Sequence, residues 1–175
     1  MPYAVELALD PASADVVRRV WRELDDAGVT YVSRSGARPH VTLGIWETLD
    51  HDGAEAELTR FAAETAPVRL TLASVGLFPR VAIFLAPTVT AELLQLHAGF
   101  HRQFGRLGEQ SWDHYRPGGW VPHCTLATDL EPDQFGGALA IAGRVPLPLE
   151  CRLVEIGIVE FRPVKQLVSF ALGGR

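Results

Sequence analysis

The sequence predicts an α+β chain of two related lobes, each a small sheet with helices on one side. Three observations carry this. Short runs of alternating apolar residues interleave with longer stretches whose apolar residues recur every three or four positions. One pattern, Pro-His-x-Thr-Leu, occurs twice, as Pro39-His40-Val41-Thr42-Leu43 and as Pro122-His123-Cys124-Thr125-Leu126. Each copy precedes a helix and a strand pair at nearly equal spacing, 35 positions from His40 to Val75 and 33 from His123 to Ile156. Residues 1–175 thus read as one domain of two lobes related by an internal repeat, with motif strands at 40–46 and 121–128.

The elements follow in order. Tyr3 to Leu9 alternates Val5, Leu7 and Leu9 on one face of a strand. Asp10-Pro11 is an N-cap with Pro at the first helical position. Val17, Val20, Trp21 and Leu24 then recur at helical spacing, and Gly28 is placed to end that helix. A short strand is expected near Tyr31, then the strand His40 to Trp46. A second helix fits Gly53 to Thr65, with Ala54, Leu58, Phe61 and Ala62 on its apolar side. Val68–Phe78 and Val81–Ala86 form a hairpin about Pro79-Arg80. The third helix runs from about Thr90 to Phe104 on Leu93, Leu96, Phe100 and Phe104. A loop from Ser111 to Trp120, rich in Trp, Tyr, Gly and Pro, leads into the strand Val121 to Thr128. Glu131-Pro132 opens a fourth helix carrying Phe135, Leu139 and Ala142, and strands around Leu153–Phe161 and Leu167–Leu172 close the chain.

Composition narrows the function. The 175 residues are 47% hydrophobic and 21% charged, enough apolar content to bury a core. A formal net charge of −5 disfavours a protein that coats duplex DNA or an anionic membrane, since both need a basic face. No run approaches the ~20 apolar residues of a membrane helix, and no signal peptide precedes the first strand, which already contains Glu6. Cys124 and Cys151 make neither a disulfide framework nor a zinc knuckle. The expectation is a cytoplasmic monomer. Its basic residues are all Arg except Lys165, and guanidinium forks suit a small phosphate.

The doubled motif carries the chemistry. A lone His-x-Thr-Leu is usually the polar face of an amphipathic strand. With six His and four Thr-Leu pairs in the chain, two chance matches are on the order of one in a hundred. In a strand, residues i and i+2 share a face. His40, Thr42 and Gly44 should therefore point one way and Val41, Leu43 and Ile45 the other; likewise His123, Thr125 and Ala127 against Cys124 and Leu126. Two imidazoles on one cleft can be proton acceptor and proton donor at neutral pH. The threonine hydroxyls can bond non-bridging phosphate oxygens as charge builds on phosphorus. Such a site needs no metal and no cofactor.

These paired motifs resemble the two-histidine (2H) phosphoesterase superfamily, in particular its 2′-5′ RNA ligase and cyclic phosphodiesterase branch. Val75-Gly76-Leu77-Phe78-Pro79-Arg80, Leu96-His97 and Trp120-Val121-Pro122-His123 support the resemblance, which spans essentially the whole chain. It implies a bilobal α+β fold, antiparallel sheets with helices outside, and a central cleft where the two His-x-Thr strands face each other. It also implies that His40 and His123 are the acid–base pair, that Thr42 and Thr125 bind phosphate, and that the substrate is a 2′,3′-cyclic or 2′-linked phosphate of a nucleotide or RNA end. The acidic charge favours a nucleotide-sized ligand over long RNA.

Arg80 in its turn, Tyr115, Arg116 and Trp120 in the aromatic loop, and Arg38 two residues before His40 are candidate substrate contacts. His97 and His101 have the i, i+4 spacing of a metal pair, the basis of a rival reading as a zinc hydrolase. Two further readings are a ligase-like activity and a module that binds a nucleotide or RNA end without turnover. His51 and His114 read as loop residues, and Cys124 should point away from the cleft. Which histidine is the acid is not legible from sequence.

Overall fold

Asp10 sets the first helix in place. Its carboxylate accepts from Ser13 N (3.0 Å) and from Arg152 N (2.8 Å), so one residue caps the helix and ties it to a distant strand. The computed structural model describes residues 2–161 and 163–174. Among them run β1 (Tyr3–Leu9), α1 (Pro11–Asp26), α2 (Tyr31–Arg34), β2 (His40–Leu49), α3 (His51–Glu64), β3 (Val68–Phe78), β4 (Ala82–Pro87), α4 (Ala91–Phe104), β5 (Gly108–Ser111), a 3₁₀ turn (Asp113–Tyr115), β6 (Cys124–Thr128), α5 (Phe135–Ala142), β7 (Leu149–Glu160) and β8 (Lys165–Ala171). The order strand–helix–strand–helix–strand thus runs twice if the one-turn α2 and the short β5 are set aside. Among the described residues no helix is long and apolar enough to cross a membrane.

The strands pair antiparallel in the order β5-β2-β1-β7-β3-β4-β6. The long β7 is the hinge of this arrangement. One edge pairs with β1, while the other pairs with β3 through Leu149–Leu153 and with β8 through Glu155–Glu160. One eight-stranded sheet thus continues through the β7–β3 pairing. Strands β2 and β6 are separated by β1, β7, β3 and β4, yet they touch, so the sheet bends back until the two motif strands meet.

Helices cover one face. Val17, Val20, Trp21 and Leu24 of α1, Ala54, Leu58, Phe61 and Ala62 of α3, and Leu93, Phe100 and Phe104 of α4 are buried there with Val5, Leu7, Val41 and Leu43 of the sheet. The stripe of α4 differs from expectation by one position: His97 is buried and Leu96 only partly so. The opposite face carries a small separate cluster of Ala4, Ile45 and Val159, with Trp112, Tyr115, Phe161 and Val164 packed on it. That cluster floors the cleft.

Strands β2 and β7 run longer than the sequence reading, to Leu49 and from Leu149, and α3 opens two residues early at His51. Four further elements depart for reasons the structure shows. Tyr31 lies in a helical turn, not a strand, because Ser33 Oγ donates to Thr30 O and Arg34 binds Asp25 through two bonds. These local bonds outcompete the β preference of Val29-Thr30-Tyr31-Val32. The second motif strand begins at Cys124 rather than Val121, since Pro122 has no N–H for a ladder. The fourth helix starts at Phe135, after a turn in which Gln134 bonds Glu131 N and Gly28 O. Strand β5 is polar and gave no alternation; it pairs with β2 through Trp46, Thr48 and Leu49 because Gly108 admits the Trp46 ring, which a Cβ would strike.

Candidate active site

Each motif strand carries a β-bulge at its leucine. Val5 pairs with Gly44 and Glu6 with Thr42, leaving Leu43 as the extra residue of β2. Ile83 pairs with Ala127 and Phe84 with Thr125, leaving Leu126 as the extra residue of β6. The bulge inverts parity beyond the threonine. On the cleft face stand His40, Thr42 and Ile45, and His123, Thr125 and Thr128, in a cavity of about 300 Å³. Gly44 and Ala127, expected on that face, belong to the other: a Cβ on Gly44 would collide with buried Trp46, and Ala127 is fully buried in the core.

The two imidazoles are held alike. His40 Nδ1 lies 2.6 Å from Arg38 O and His123 Nδ1 lies 2.7 Å from Val121 O. A carbonyl only accepts, so each Nδ1 carries a hydrogen and donates it. The Nε2 atoms are thereby left free for the cleft. Both bonds run to the carbonyl two residues back, and in both motifs a proline lies between.

Beyond this the two sites differ. Beside His40, the carboxylate of Glu6 reaches within 3.4 Å of Nδ1. Glu6 is 2% exposed and is held by Arg38 Nε at 2.7 Å, while Arg38 Nη1 binds Glu155 at 2.7 Å and Ser169 Oγ at 3.1 Å. Gly157 makes room for that guanidinium, since a Cβ there would stand 2.8 Å from Nη2. His123 is instead walled by aromatic rings: Phe78 edge-on at 5.0 Å, Phe84 at 5.2 Å and Tyr115 at 6.3 Å. Burial pushes His123 below the ordinary imidazole value, and His40 pushes it the same way against the bond to Val121 O.

The other sequence-predicted residues separate clearly. Among the described residues, Tyr115 lines the cleft. Arg38 does not line the cleft because Glu6 and Glu155 engage its guanidinium. Arg116 is tied to Ser111 and Asp113 within its own loop, and Arg80 stands exposed in the β3–β4 turn at φ 62°. Trp120 is buried, with Nε1 donating to Thr42 O at 2.9 Å. The sequence reading missed Glu6, Phe78, Trp112 and Tyr31 as cleft residues. A lone carboxylate within an apolar alternation was the available signal for Glu6. His51 opens α3 with its ring against Tyr3, and His114 lies in the 3₁₀ turn. Cys124 points away from the cleft and lies against the His40 backbone amide; burial pushes its thiol up to about 12, so it is no nucleophile.

His97 and His101 turn out to serve the bulge. Both Nε2 atoms donate to Leu43 O at 2.9 Å, and His97 also reaches Tyr115 O at 3.0 Å. Among the described residues no group of three or more His, Cys, Asp or Glu side chains is placed to hold a metal. Burial, and then the neighbouring His101, lower His97 to about 4. An unfolded chain with imidazoles near ~6.5 binds more protons than the folded one below that pH. Stability should therefore be complete above ~6.5 and fall as pH drops toward about 4, as denaturant titrations across that window can measure. His97→Gln should flatten the dependence, and a wild type equally stable at both ends would refute it.

Residues 9–164 match the family described as the 2′-5′ RNA ligase superfamily. The chain belongs to this superfamily. Among curated proteins none matches the sequence. Among solved structures, TT0787 of Thermus thermophilus is similar at 24% identity, covering 100% of both chains with a TM-score of 0.63. E. coli LigT complexed with 3′-AMP is 18% identical, covers 98% of this chain and 99% of its own, and gives a TM-score of 0.57. A protein described as a phosphoesterase gives 16%, 98% of both chains, and 0.56. These structures share the fold of this chain.

Proposed function

We propose that this 2′-5′ RNA ligase superfamily member is a metal-independent phosphodiesterase that opens a 2′,3′-cyclic phosphate on a nucleotide-sized substrate. The observation that carries the reading is the matched pair of Nδ1-anchored imidazoles, each beside a threonine, facing one cavity. Nucleotides bound by a fold relative, 3′-AMP, ATP and NADP+ in E. coli LigT, support a ligand of this size. The asymmetry supports His123 as base and His40 as acid. His123 sits among aromatic rings that favour its neutral form, while Glu6 is placed to balance the charge of a protonated His40. His123 Nε2 takes a proton from water as the oxygen bonds to phosphorus. The bond from phosphorus to the ribose oxygen breaks, and that oxygen takes its proton from His40 Nε2. Thr42 and Thr125 hold the non-bridging oxygens.

Hydrolysis of 2′,3′-cyclic AMP, followed with a chelator present, tests this directly. Turnover should survive chelation. The acid limb of its kcat/KM profile should lie below the ordinary imidazole value of ~6.5, because the base is held neutral. Activity abolished by chelation and restored by zinc would favour a metal enzyme, and tight product binding without turnover a binding module.

A further inference from the structure

We infer that Trp21 and Trp120 are positioning residues, each using its indole N–H to fix the phosphate-binding threonine of the opposite half of the chain. Trp120 Nε1 donates to Thr42 O at 2.9 Å, and Trp21 Nε1 donates to Thr125 O at 3.1 Å. Trp21 lies on α1 between β1 and β2, whereas Thr125 is in β6; Trp120 precedes the second motif, whereas Thr42 is in the first. The bonds are crossed, and both end on the carbonyl that immediately precedes the bulged leucine.

The physical need for them follows from the bulge. An extra residue lifts that stretch out of the ladder, so its carbonyls must find other donors and its dihedrals are no longer set by a partner strand. In β2 two successive carbonyls are held: Thr42 O by Trp120, and Leu43 O by His97 and His101. Trp120 is itself fixed by stacking on His97 with ring centroids 3.9 Å apart and planes parallel. It also stands next to Val121, whose carbonyl holds His123 Nδ1, so one side chain sets Thr42 and the approach to His123 together. The remaining tryptophans do otherwise, Trp112 binding the Glu47 side chain and Trp46 leaving its indole N–H without a partner among the described residues.

This inference rests on the threonines holding phosphate, and the test separates the two ideas. β-(3-Benzothienyl)alanine, which keeps the indole outline but replaces N–H by sulfur, is placed at position 21 or at position 120. Thermal unfolding, kcat and KM on 2′,3′-cyclic AMP, and threonine methyl NMR spectra of the free protein are then recorded. The carbonyl left unpaired should lower Tm by a few degrees while the protein stays folded. The kcat should fall about tenfold per site with KM little changed, since sub-ångström misplacement costs mainly at the transition state. Without any substrate, the position 21 variant should shift the Thr125 methyl and the position 120 variant the Thr42 methyl. Unchanged kcat with unchanged methyl signals, or an uncrossed shift pattern, would overturn the role and leave the indoles as packing. Should the wild type fail to turn over the cyclic nucleotide, the functional reading falls and the methyl pattern alone decides the positioning role.

Discussion

His123→Ala is expected to lower kcat on 2′,3′-cyclic AMP by about 10³-fold, within the range of ~10²–10⁴ attached to a positioned acid or base. His40→Ala should lose a similar factor. Neither change should unfold the protein, because both rings are only half-buried and each holds a single carbonyl within its own segment. The double variant should be little worse than either single one, since the two groups act in one step and their losses do not multiply. Leaving-group chemistry then tells the two roles apart. A diester with a p-nitrophenolate leaving group has little need of an acid, so His40→Ala should recover most of its rate on that substrate. His123→Ala should stay impaired, because water must still be deprotonated. Wild-type activity in either alanine variant on the cyclic nucleotide would remove that residue from the mechanism, and recovery in the opposite variant would exchange the roles.

Glu6→Ala should be the most destabilising single change near the site. It leaves the Arg38 guanidinium, 22% exposed at the side chain, without the carboxylate that meets Nε. Removing one member of a buried pair costs about 3–5 kcal/mol, and the surviving bridge to half-exposed Glu155 places this case near the lower end. For a chain of this size that corresponds to a fall in Tm of about 6–12 °C at ~2–4 °C per kcal/mol. Arg38 Nη2 is already buried without a partner among the described residues, so the loss of Glu6 leaves Nε unpaired beside it and only the Nη1 bridge to Glu155 in place. Glu6→Gln keeps the shape and one hydrogen bond, so it should melt closer to wild type while still lowering kcat, as the charge opposite His40 is gone. A Glu6→Ala protein as stable as wild type would show that the network contributes little to the fold.

What could be read from the sequence follows the range of the physics. Strand β1 and helix α1 came out within a residue because alternation, a proline at the first turn and an Asp cap act over a few positions. Tyr31 was misread for the complementary reason: its β-branched neighbours favour a strand, and a side chain at Asp25 decides otherwise. The polar strand β5 carried no pattern, being held by backbone pairing to β2. Among the candidate contacts, Arg38 and Arg116 were reasonable as free guanidiniums. Only the fold showed their carboxylate partners, at 32 positions' separation in one case.

By itself the sequence determined that two Pro-His-x-Thr-Leu strands exist, that each His and Thr share a face, and that amphipathic helices cover the other side. Those are local facts, set by the two-residue and 3.6-residue periods. The tertiary structure decided which residues stand beyond the threonines, because a bulge is visible only against the partner strand, as Gly44 against Val5 and Ala127 against Ile83. It also made the two histidines unlike. Glu6 comes to His40 from β1, and Phe78 and Phe84 come to His123 from the β3–β4 hairpin. A histidine's neighbours across a sheet are fixed by strand order and register, which no single motif encodes.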